Sequence, residues 1–234
     1  MKKIVKIASV MAIGFGFFAF TNYAYAPGSF EGVITYTMKY GGDVPPQAAS
    51  MMQGSTFKIY TKGDKSRVEF SFAMGKNVTI SDRSTKQSVS INDMMGRKYE
   101  VKNDGTKKNP DDKAPDIKYL DDTKTVAGYT CKHAQATVTS KGGEAYTSDI
   151  FYTDQLPYAE DMGQYKGLKG FPLSFETKQR GMSIYFTAES VTKQSVPDSL
   201  FVIPTTGYKV YNSQQEAMQD MQKGSMKSSG GDGE

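Results

Sequence analysis

Apolar and polar residues alternate along most of this chain with a period of two. From Phe30 to Tyr40, aromatic and aliphatic residues fall on one face, whereas charged and hydroxyl-bearing residues dominate the other. A period of two is typical of a strand that is buried on one side. The pattern therefore predicts a long first strand that ends at Gly41 and Gly42.

Further runs of strand-like composition follow, and turn-forming residues separate them, such as those at 62–65 and Arg180-Gly181. They predict about ten antiparallel strands in all, joined mostly by hairpins. A large meander of this kind curls into a barrel, a half-barrel or a sandwich. The runs are 56–60, 66–72, 77–81, 87–91, 97–102, 117–120, 129–139, 145–153, 171–179 and 182–192.

Three segments break the alternation and have helical character. Residues 45–53 begin with prolines, which a helix tolerates at its start, and carry an apolar patch. Residues 156–169 mix Pro, Met, Gly and Tyr and predict a short helix and loop. Residues 213–222 contain helix formers, with Ser213 placed to cap the helix at its N-terminus. Residues 103–116 are polar and predict a long loop. The composition of residues 224–234 predicts disorder.

The first 26 residues have the pattern of a secretory signal peptide. A lysine-rich start precedes an apolar run that reaches Phe20, and Ala24-Tyr25-Ala26 supplies a small-x-small cleavage motif. No later segment is apolar for long enough to serve as an integral membrane anchor. We therefore expect a signal peptide over 1–26, a β domain over 27–212, a helical and then disordered tail over 213–234, and a periplasmic or secreted location.

Charge and cysteine content narrow the possible functions. Three of the 29 basic residues lie in the predicted signal peptide, which leaves 26 basic against 25 acidic residues. This balance does not predict a basic surface for nucleic acid. A single cysteine excludes an intramolecular disulfide, so stability must come from the sheet and its core.

Cys131 and His133 are the only cysteine and the only histidine, and on a strand they share a face. One reading is a metal pair or a nucleophile with its base. A metal site needs about four ligands, and a catalytic base is usually distant in sequence from its thiol. We therefore favour a buried thiol beside an ordinary strand histidine.

The acidic pairs Asp111-Asp112 and Asp121-Asp122 do not predict an acid/base pair, because neighbouring side chains on a strand point apart. Lysines at 107, 108 and 113 make a calcium loop less plausible than a solvated one. The sequence also lacks the G-x-S-x-G and H-E-x-x-H motifs and a phosphate-binding glycine loop. We expect no cofactor, no metal and no enzymatic activity.

Apolar surface is the remaining candidate for function. Eleven of the 13 methionines follow the predicted signal peptide, and several lie near predicted loops and helix patches. Flexible thioethers fill irregular cores and also line adaptable binding surfaces. If the sheet curls without closing, its concave face needs helices or a ligand to cover it. The predicted cavity lining comprises Ile34, Tyr36, Met38, Met51, Met52, Phe57, Ile59, Phe70, Phe72, Phe175, Met182, Ile184 and Phe186.

Three stretches carry a family resemblance: Phe30-Glu-Gly-Val-Ile-Thr-Tyr36, the central run 123–134 (TKTVAGYTCKHA) and 201–209 (FVIPTTGYK). With their spacing, the chain resembles the DUF4412 group of secreted bacterial proteins, which is similar in turn to the LolA/LppX-like lipoprotein-carrier fold. Phe151 stands where a tryptophan is typical of the group. The resemblance implies a curved antiparallel sheet, wrapped as a half-open barrel, with two or three short helices as a lid over an apolar hollow. It implies no catalytic residues.

The leading expectation is a non-enzymatic protein that binds a hydrophobic small molecule or a lipidated protein. The first alternative is a cell-envelope interaction module with a filled core that acts through an edge strand or the C-terminal helix. The second is a hydrolytic enzyme. A trough plugged by the protein's own phenylalanines would overturn carriage of a ligand in that trough. Ligand identity and oligomeric state are left open.

Overall fold

The computed structural model describes a single twelve-stranded sheet. The described residues are 30–42, 50, 52–94, 96–104, 114–139, 145–156, 165–179, 182–204, 206–217 and 219–220. The predicted signal peptide, most of the long polar loop and residues 221–234 lie outside this part. Within it, no helix has the length and apolar character needed to cross a bilayer.

Most strands follow the runs that alternation predicts, within one or two residues at each end. The strand β7 is longer than its predicted run of 117–120, and β12 was not predicted. The strands are β1 Gly32–Gly41, β2 Thr56–Lys62, β3 Lys65–Phe72, β4 Gly75–Asp82, β5 Gln87–Met94, β6 Arg97–Asp104, β7 Asp116–Val126, β8 Tyr129–Thr139, β9 Ala145–Thr153, β10 Phe171–Gln179, β11 Met182–Lys193 and β12 Lys209–Tyr211.

Two meanders meet at the centre of the sheet. The strand order is β12-β6-β5-β4-β3-β2-β1-β11-β10-β9-β8-β7, so β1 to β6 form one half and β7 to β11 the other. The halves join where β1 pairs antiparallel with β11, from Gly32 opposite Lys193 to Gly41 opposite Ser183. Only the short β12 runs parallel to its neighbour, β6.

The sheet is open and curled. Its edges are β12 and β7, and β7 nevertheless contacts β11, four strands away in the sheet order. Such a contact requires the half built from β7 to β11 to roll up, in agreement with the twist of large antiparallel sheets. The expectation of a mainly antiparallel, open sheet is confirmed.

One face of the sheet carries the main core, and we call it the inner face. It is the face on which Ile34, Tyr36 and Phe57 lie, all at most 3% exposed. Side chains from β1, β2, β3, β8, β9, β10 and β11 pack there in one cluster. Alternation places their polar neighbours on the opposite, outer face, as the burial pattern of β1 shows.

The core changes sides between β3 and β4. Val78 and Ile80 of β4 lie opposite Glu69 and Arg67 of β3, and therefore on the outer face. They form a second core with Val89, Ile91, Val196 and Phe201. The inner face of the same strands carries buried polar groups instead: Ser66, Thr79, Ser81, Ser88 and Asn92.

Residues 194–204 form a strap that covers this second core. The 3₁₀ helix Asp198–Phe201 lies within the strap and contacts β3. Lys62 Nζ donates to the Val196 carbonyl at 3.1 Å and lies 3.0 Å from Asp198 Oδ1. Arg67 donates to the Leu200 carbonyl at 2.8 Å. These hydrogen bonds and the ion pair hold the strap over the second core.

The predicted helical lid differs from the structure. The 3₁₀ helix covers the outer face. The C-terminal helix, described at 214–217 and 219–220, packs Ala217 against Tyr99, Val101 and Tyr211 beside β6. Neither covers the aromatic middle of the inner face. Of the predicted helix at 45–53, Ser50 and Met52 have helical backbone, and most of its remainder lies outside the described residues.

The cap expected for the C-terminal helix is present. Ser213 Oγ accepts a hydrogen bond from the Glu216 backbone at 3.1 Å, and Glu216 Oε2 accepts one from the Asn212 backbone at 2.9 Å. This reciprocal pair resembles a capping box, shifted by one residue on the second bond.

Candidate functional site

Seven of the predicted cavity-lining residues lie together as a packed core. Each is at most 4% exposed, and all belong to the inner-face cluster. They come from β1, β2, β10 and β11, which are neighbours only because β1 joins the two meanders. These residues are Ile34, Tyr36, Phe57, Ile59, Phe175, Ile184 and Phe186.

Aromatic rings fill the middle of this core. Phe186 stacks on Phe175 with centroids 5.0 Å apart and meets Phe57 edge-on at 5.0 Å. Tyr36 meets Phe57 at 5.3 Å and Phe175 at 5.9 Å, both edge-on. Its hydroxyl donates to the Pro172 carbonyl at 2.9 Å, so its polar end is satisfied. The geometry is that of close ring packing rather than of a hollow.

The segment 165–170 closes the same core from the other half of the sheet. Tyr165 and Leu168 are at most 2% exposed, and the Tyr165 ring meets Phe175 at 5.7 Å. The Tyr165 hydroxyl bonds to the Glu176 carbonyl and lies 2.9 Å from Ser148 Oγ. The sequence predicted helical character over 156–169 but did not identify Tyr165 and Leu168 as core residues that plug the inner face.

The other predicted lining residues that the structure describes lie at one end of the core. Met38, Phe70 and Met182 are half-buried against it, and Phe72 stacks on Phe70 at 5.2 Å. Met52 is buried, and Met51 lies outside the described residues. An open cleft of about 520 Å³ occurs at this end, lined by Met38, Tyr40, Ser50, Met52, Gln53, Gly54 and Ser55.

The described cleft lining is mixed but uncharged: Met38, Tyr40 and Met52 supply apolar surface, and serine, glutamine and glycine residues supply the rest. The Tyr40 hydroxyl donates to Met38 Sδ at 3.9 Å, and burial raises the pKa of Tyr40, so it stays neutral. Thioethers adapt to ligands of varied shape. The lining residues carry no charge, so the cleft suits an uncharged, flexible, apolar group.

Cys131 and His133 have separate environments on β8. Cys131 is fully buried, and burial raises the pKa of its thiol, so it is a poor nucleophile. His133 lies between two carboxylates on the outer face: Nδ1 is 2.7 Å from Asp122 Oδ1 and Nε2 is 2.9 Å from Asp149 Oδ1. Its ring stacks on Phe151 at 4.5 Å.

The charge state of His133 follows from these contacts. Burial alone lowers its pKa, but the hydrogen bonds and charges of Asp122 and Asp149 outweigh burial, so the pKa is raised. With both ring nitrogens paired, His133 has no free position for a metal. Among the described residues, no group of three or more His, Cys, Asp and Glu is placed to hold one.

Sequence reasoning missed the partners of His133. Asp122 lies in a bulge between Leu120 and Thr123 of β7, and Asp149 is two residues from Phe151, which pairs with His133 across β8 and β9. Adjacency along the chain does not reveal such cross-strand contacts. Two adjacent aspartates, Asp121 and Asp122, within a strand-like stretch were the one sequence feature that could have indicated a bulge with a carboxylate near His133.

Solved structures with a similar fold include PNGF-II, in crystals of space groups C2 and P21. The chain is 18% identical to each and aligns over 82% of its own length with TM-scores of 0.51 and 0.52. It spans about a third of the length of PNGF-II, 32% and 33% in the two crystals. This likeness concerns the fold alone.

MucB is also similar, at 14% identity over 80% of this chain and 61% of MucB, with a TM-score of 0.35. No curated protein matches the sequence. The model of the family described as "Domain of unknown function (DUF4412)" matches residues 30–208. This region contains β1 to β11, and β12 and the C-terminal helix follow it. The chain therefore belongs to the DUF4412 family, as its three characteristic stretches predict.

Proposed function

We propose that the protein is a non-enzymatic, periplasmic or secreted protein that binds a hydrophobic ligand at the open end of its inner-face core. The ligand class is a lipid or the acyl chain of a lipoprotein. The observation that carries the proposal is the cleft beside Met38, Tyr40 and Met52. The site differs from the predicted hollow, because aromatic side chains occupy the middle of the inner face.

The size and chemistry of the cleft support an apolar ligand. Its volume of about 520 Å³ lies in the range of small-molecule sites. Half-buried Phe70 and Phe72 lie at the same end and extend the apolar surface beyond the cleft. Neutral groups at the rim leave a charged head group in solvent, so an acyl chain would enter with its tail first.

Replacement of Met38 by glutamine tests this site. The side chains have similar size, and the Tyr40 hydroxyl, which donates to Met38 Sδ, can donate to the amide oxygen instead. The amide N–H groups would still be buried against an acyl chain, at a cost of about 1–3 kcal/mol. We expect the affinity for a fluorescent fatty acid, measured by titration of the purified mature protein, to fall about tenfold. Mass spectrometry of an organic extract should identify a lipid in the wild-type protein.

Met182→Gln is the matched control, because Met182 has the same chemistry on the same inner face but does not line the cleft. It should change the affinity by less than about twofold. A lipid-free extract together with no uptake of the probe would contradict the proposal. Equal losses in both variants would place binding elsewhere.

A second candidate function is an interaction module with a filled core. The ring packing around Phe186 favours it, since a core that its own side chains fill needs no ligand. Exposed Val202, Ile203 and Val210 supply apolar surface on and beside the strap. The C-terminal helix adjoins this region through β12.

Truncation after Asn212 separates the two candidates. It removes the helix that Ser213 caps but leaves all twelve strands. For an interaction module, we expect loss of partner capture from a cell-envelope extract, with an unchanged far-UV circular dichroism signal for strand. For a ligand-binding protein, fatty-acid affinity should stay within about twofold of the full chain.

A further inference from the structure

The edge strand β7 contains an irregularity held by side chains. Its register against β8 shifts between Leu120 and Thr123, so Asp121 and Asp122 form a bulge outside the regular ladder. No other strand in the described part covers β7 on its far side. Bonds from side chains therefore matter more here than in the middle of the sheet.

His133 makes such a bond across three strands. From β8, its ring reaches Asp122 in the bulge at 2.7 Å and Asp149 on β9 at 2.9 Å. The His133 side chain is only 12% exposed, whereas the two carboxylates are 61% and 60% exposed. The stacking of His133 on Phe151 fixes the plane of the ring and hence the direction of both nitrogens.

The two bonds require a protonated ring. An imidazolium donates from both nitrogens, but a neutral imidazole carries one N–H and can donate to only one carboxylate. Asp149 also accepts a bond from Gln135 Nε2 at 3.1 Å. Among the described residues, Asp122 has no second partner and depends on His133 alone. A neutral ring keeps at most one of the two contacts, so the link from β7 to β9 through His133 is lost in either tautomer.

The bulge lies close to a contact with the inner-face plug. Tyr119, three residues before Asp122 on β7, donates its hydroxyl to the Gly167 carbonyl at 3.2 Å and accepts from the Lys169 backbone at 3.2 Å. Its ring also meets Tyr152 at 5.9 Å. The position of β7 is thus tied to the segment that carries Tyr165 and Leu168.

We propose that His133 is a pH-sensitive latch for the sheet edge: as an imidazolium it links the β7 bulge at Asp122 to Asp149 on β9, and loss of its proton breaks this link. The freed edge also loosens the Tyr119 contact with segment 165–170. The device regulates the rolled half of the sheet, remote from the cleft residues of β1. It stands independently of the proposed ligand.

The pH range follows from the signs of the shifts. The pKa of His133 is raised above its ordinary 6.5, so the latch is fully closed below that value and opens as pH rises through the higher folded-state pKa. At the acid end of the range, burial raises the pKa of the Asp149 carboxyl. Hydrogen bonds from Gln135 and His133 outweigh burial and lower this pKa below its ordinary 3.8. The latch therefore stays closed across the mildly acidic range.

The other charged groups around the ring do not produce the same transition. Lys124 of β7 lies over the Phe151 ring, with Nζ 5.1 Å from the ring centroid, and does not contact the imidazole in the described structure. Lys132, adjacent on β8, pairs with Asp154 at 2.5 Å, and that contact raises the pKa of the lysine. Cys131 on the same strand is buried, and burial raises its thiol pKa. His133 is thus the group that changes charge in the near-neutral range.

The experiment uses the full mature protein with and without His133→Gln. Because the chain has a single histidine, its NMR ring signals give the pKa directly. Hydrogen exchange of the β7 amides 117–126, corrected for the intrinsic pH dependence, reports on the latch. We expect protection to fall about threefold or more as pH rises through the His133 pKa, and no such step in the variant.

Two aspartate variants make the test specific. Asp122→Asn should lower β7 protection at acidic pH to the level that wild type shows at alkaline pH. Asp121→Asn, adjacent in the same bulge, should behave like wild type. The latch is overturned if His133 titrates at or below its ordinary pKa, if β7 protection is flat across the titration, or if the two asparagine variants have equal effects.

Discussion

Replacement of Phe186 by alanine is expected to lower the free energy of unfolding by about 3–5 kcal/mol, the usual range for a large aromatic residue lost from a core. Phe186 is 2% exposed and contacts Phe175 face to face and Phe57 edge-on. Its removal leaves a void between strands of both meanders, which cannot collapse without moving the β1–β11 joint. Urea titration followed by circular dichroism measures the effect.

Tyr185→Ala is the matched control for this prediction. Tyr185 is the preceding residue on β11, on the outer face, and 44% exposed. Its loss should change the free energy of unfolding by less than about 1 kcal/mol, because it fills no core space. Similar effects of the two substitutions would contradict the ring cluster as the centre of stability.

Replacement of Gly32 by alanine is expected to cost about 3 kcal/mol, since overpacking a rigid site cannot be relieved by a side-chain shift. A Cβ atom at Gly32 would lie 2.2 Å from the Thr192 carbonyl oxygen and 2.8 Å from the Phe30 ring. The first of these atoms is backbone of β11, so the two strands must separate. The same urea titration reports the loss of stability.

Gly41→Ala, at the other end of β1, provides the comparison. Its nearest neighbour is the Tyr185 ring, 2.9 Å from the added Cβ, and that exposed side chain can rotate away. We expect a cost below about 1 kcal/mol. If Gly41→Ala destabilised the protein as much as Gly32→Ala, close approach of β1 and β11 backbones would not explain the glycine at position 32.

Local sequence features predicted much of the sheet. Hairpins with clear turn residues, such as the one at Gly63 and Asp64, appear where alternation placed them. The joint between β1 and β11 has no local signal, because it pairs the first strand with the last long one. The strand β12 is three residues long and parallel, too short for a period to be recognised.

For the candidate site, alternation predicted which residues share a face but not whether a cavity lies between them. Alternation identifies residues that share a face, and it grouped Tyr36, Phe57 and Phe186 on strands that do meet. It does not report how much volume those side chains fill, and Tyr165 enters from an irregular segment. The outer-face core under Phe201 was also unpredictable, because a period of two does not state which face of a sheet a strand buries.

The joint at the centre of the sheet also determines the order in which the protein folds. Each meander forms from contacts between successive hairpins, whereas Gly32 cannot pair with Lys193 until nearly the whole sheet has left the ribosome. Closing so large a loop is entropically costly, and such non-local pairing slows folding. We therefore expect β1 to pair with β2 early and with β11 last. Pairing of β1 with β11, which joins the two meanders, is expected to be the rate-limiting step of folding.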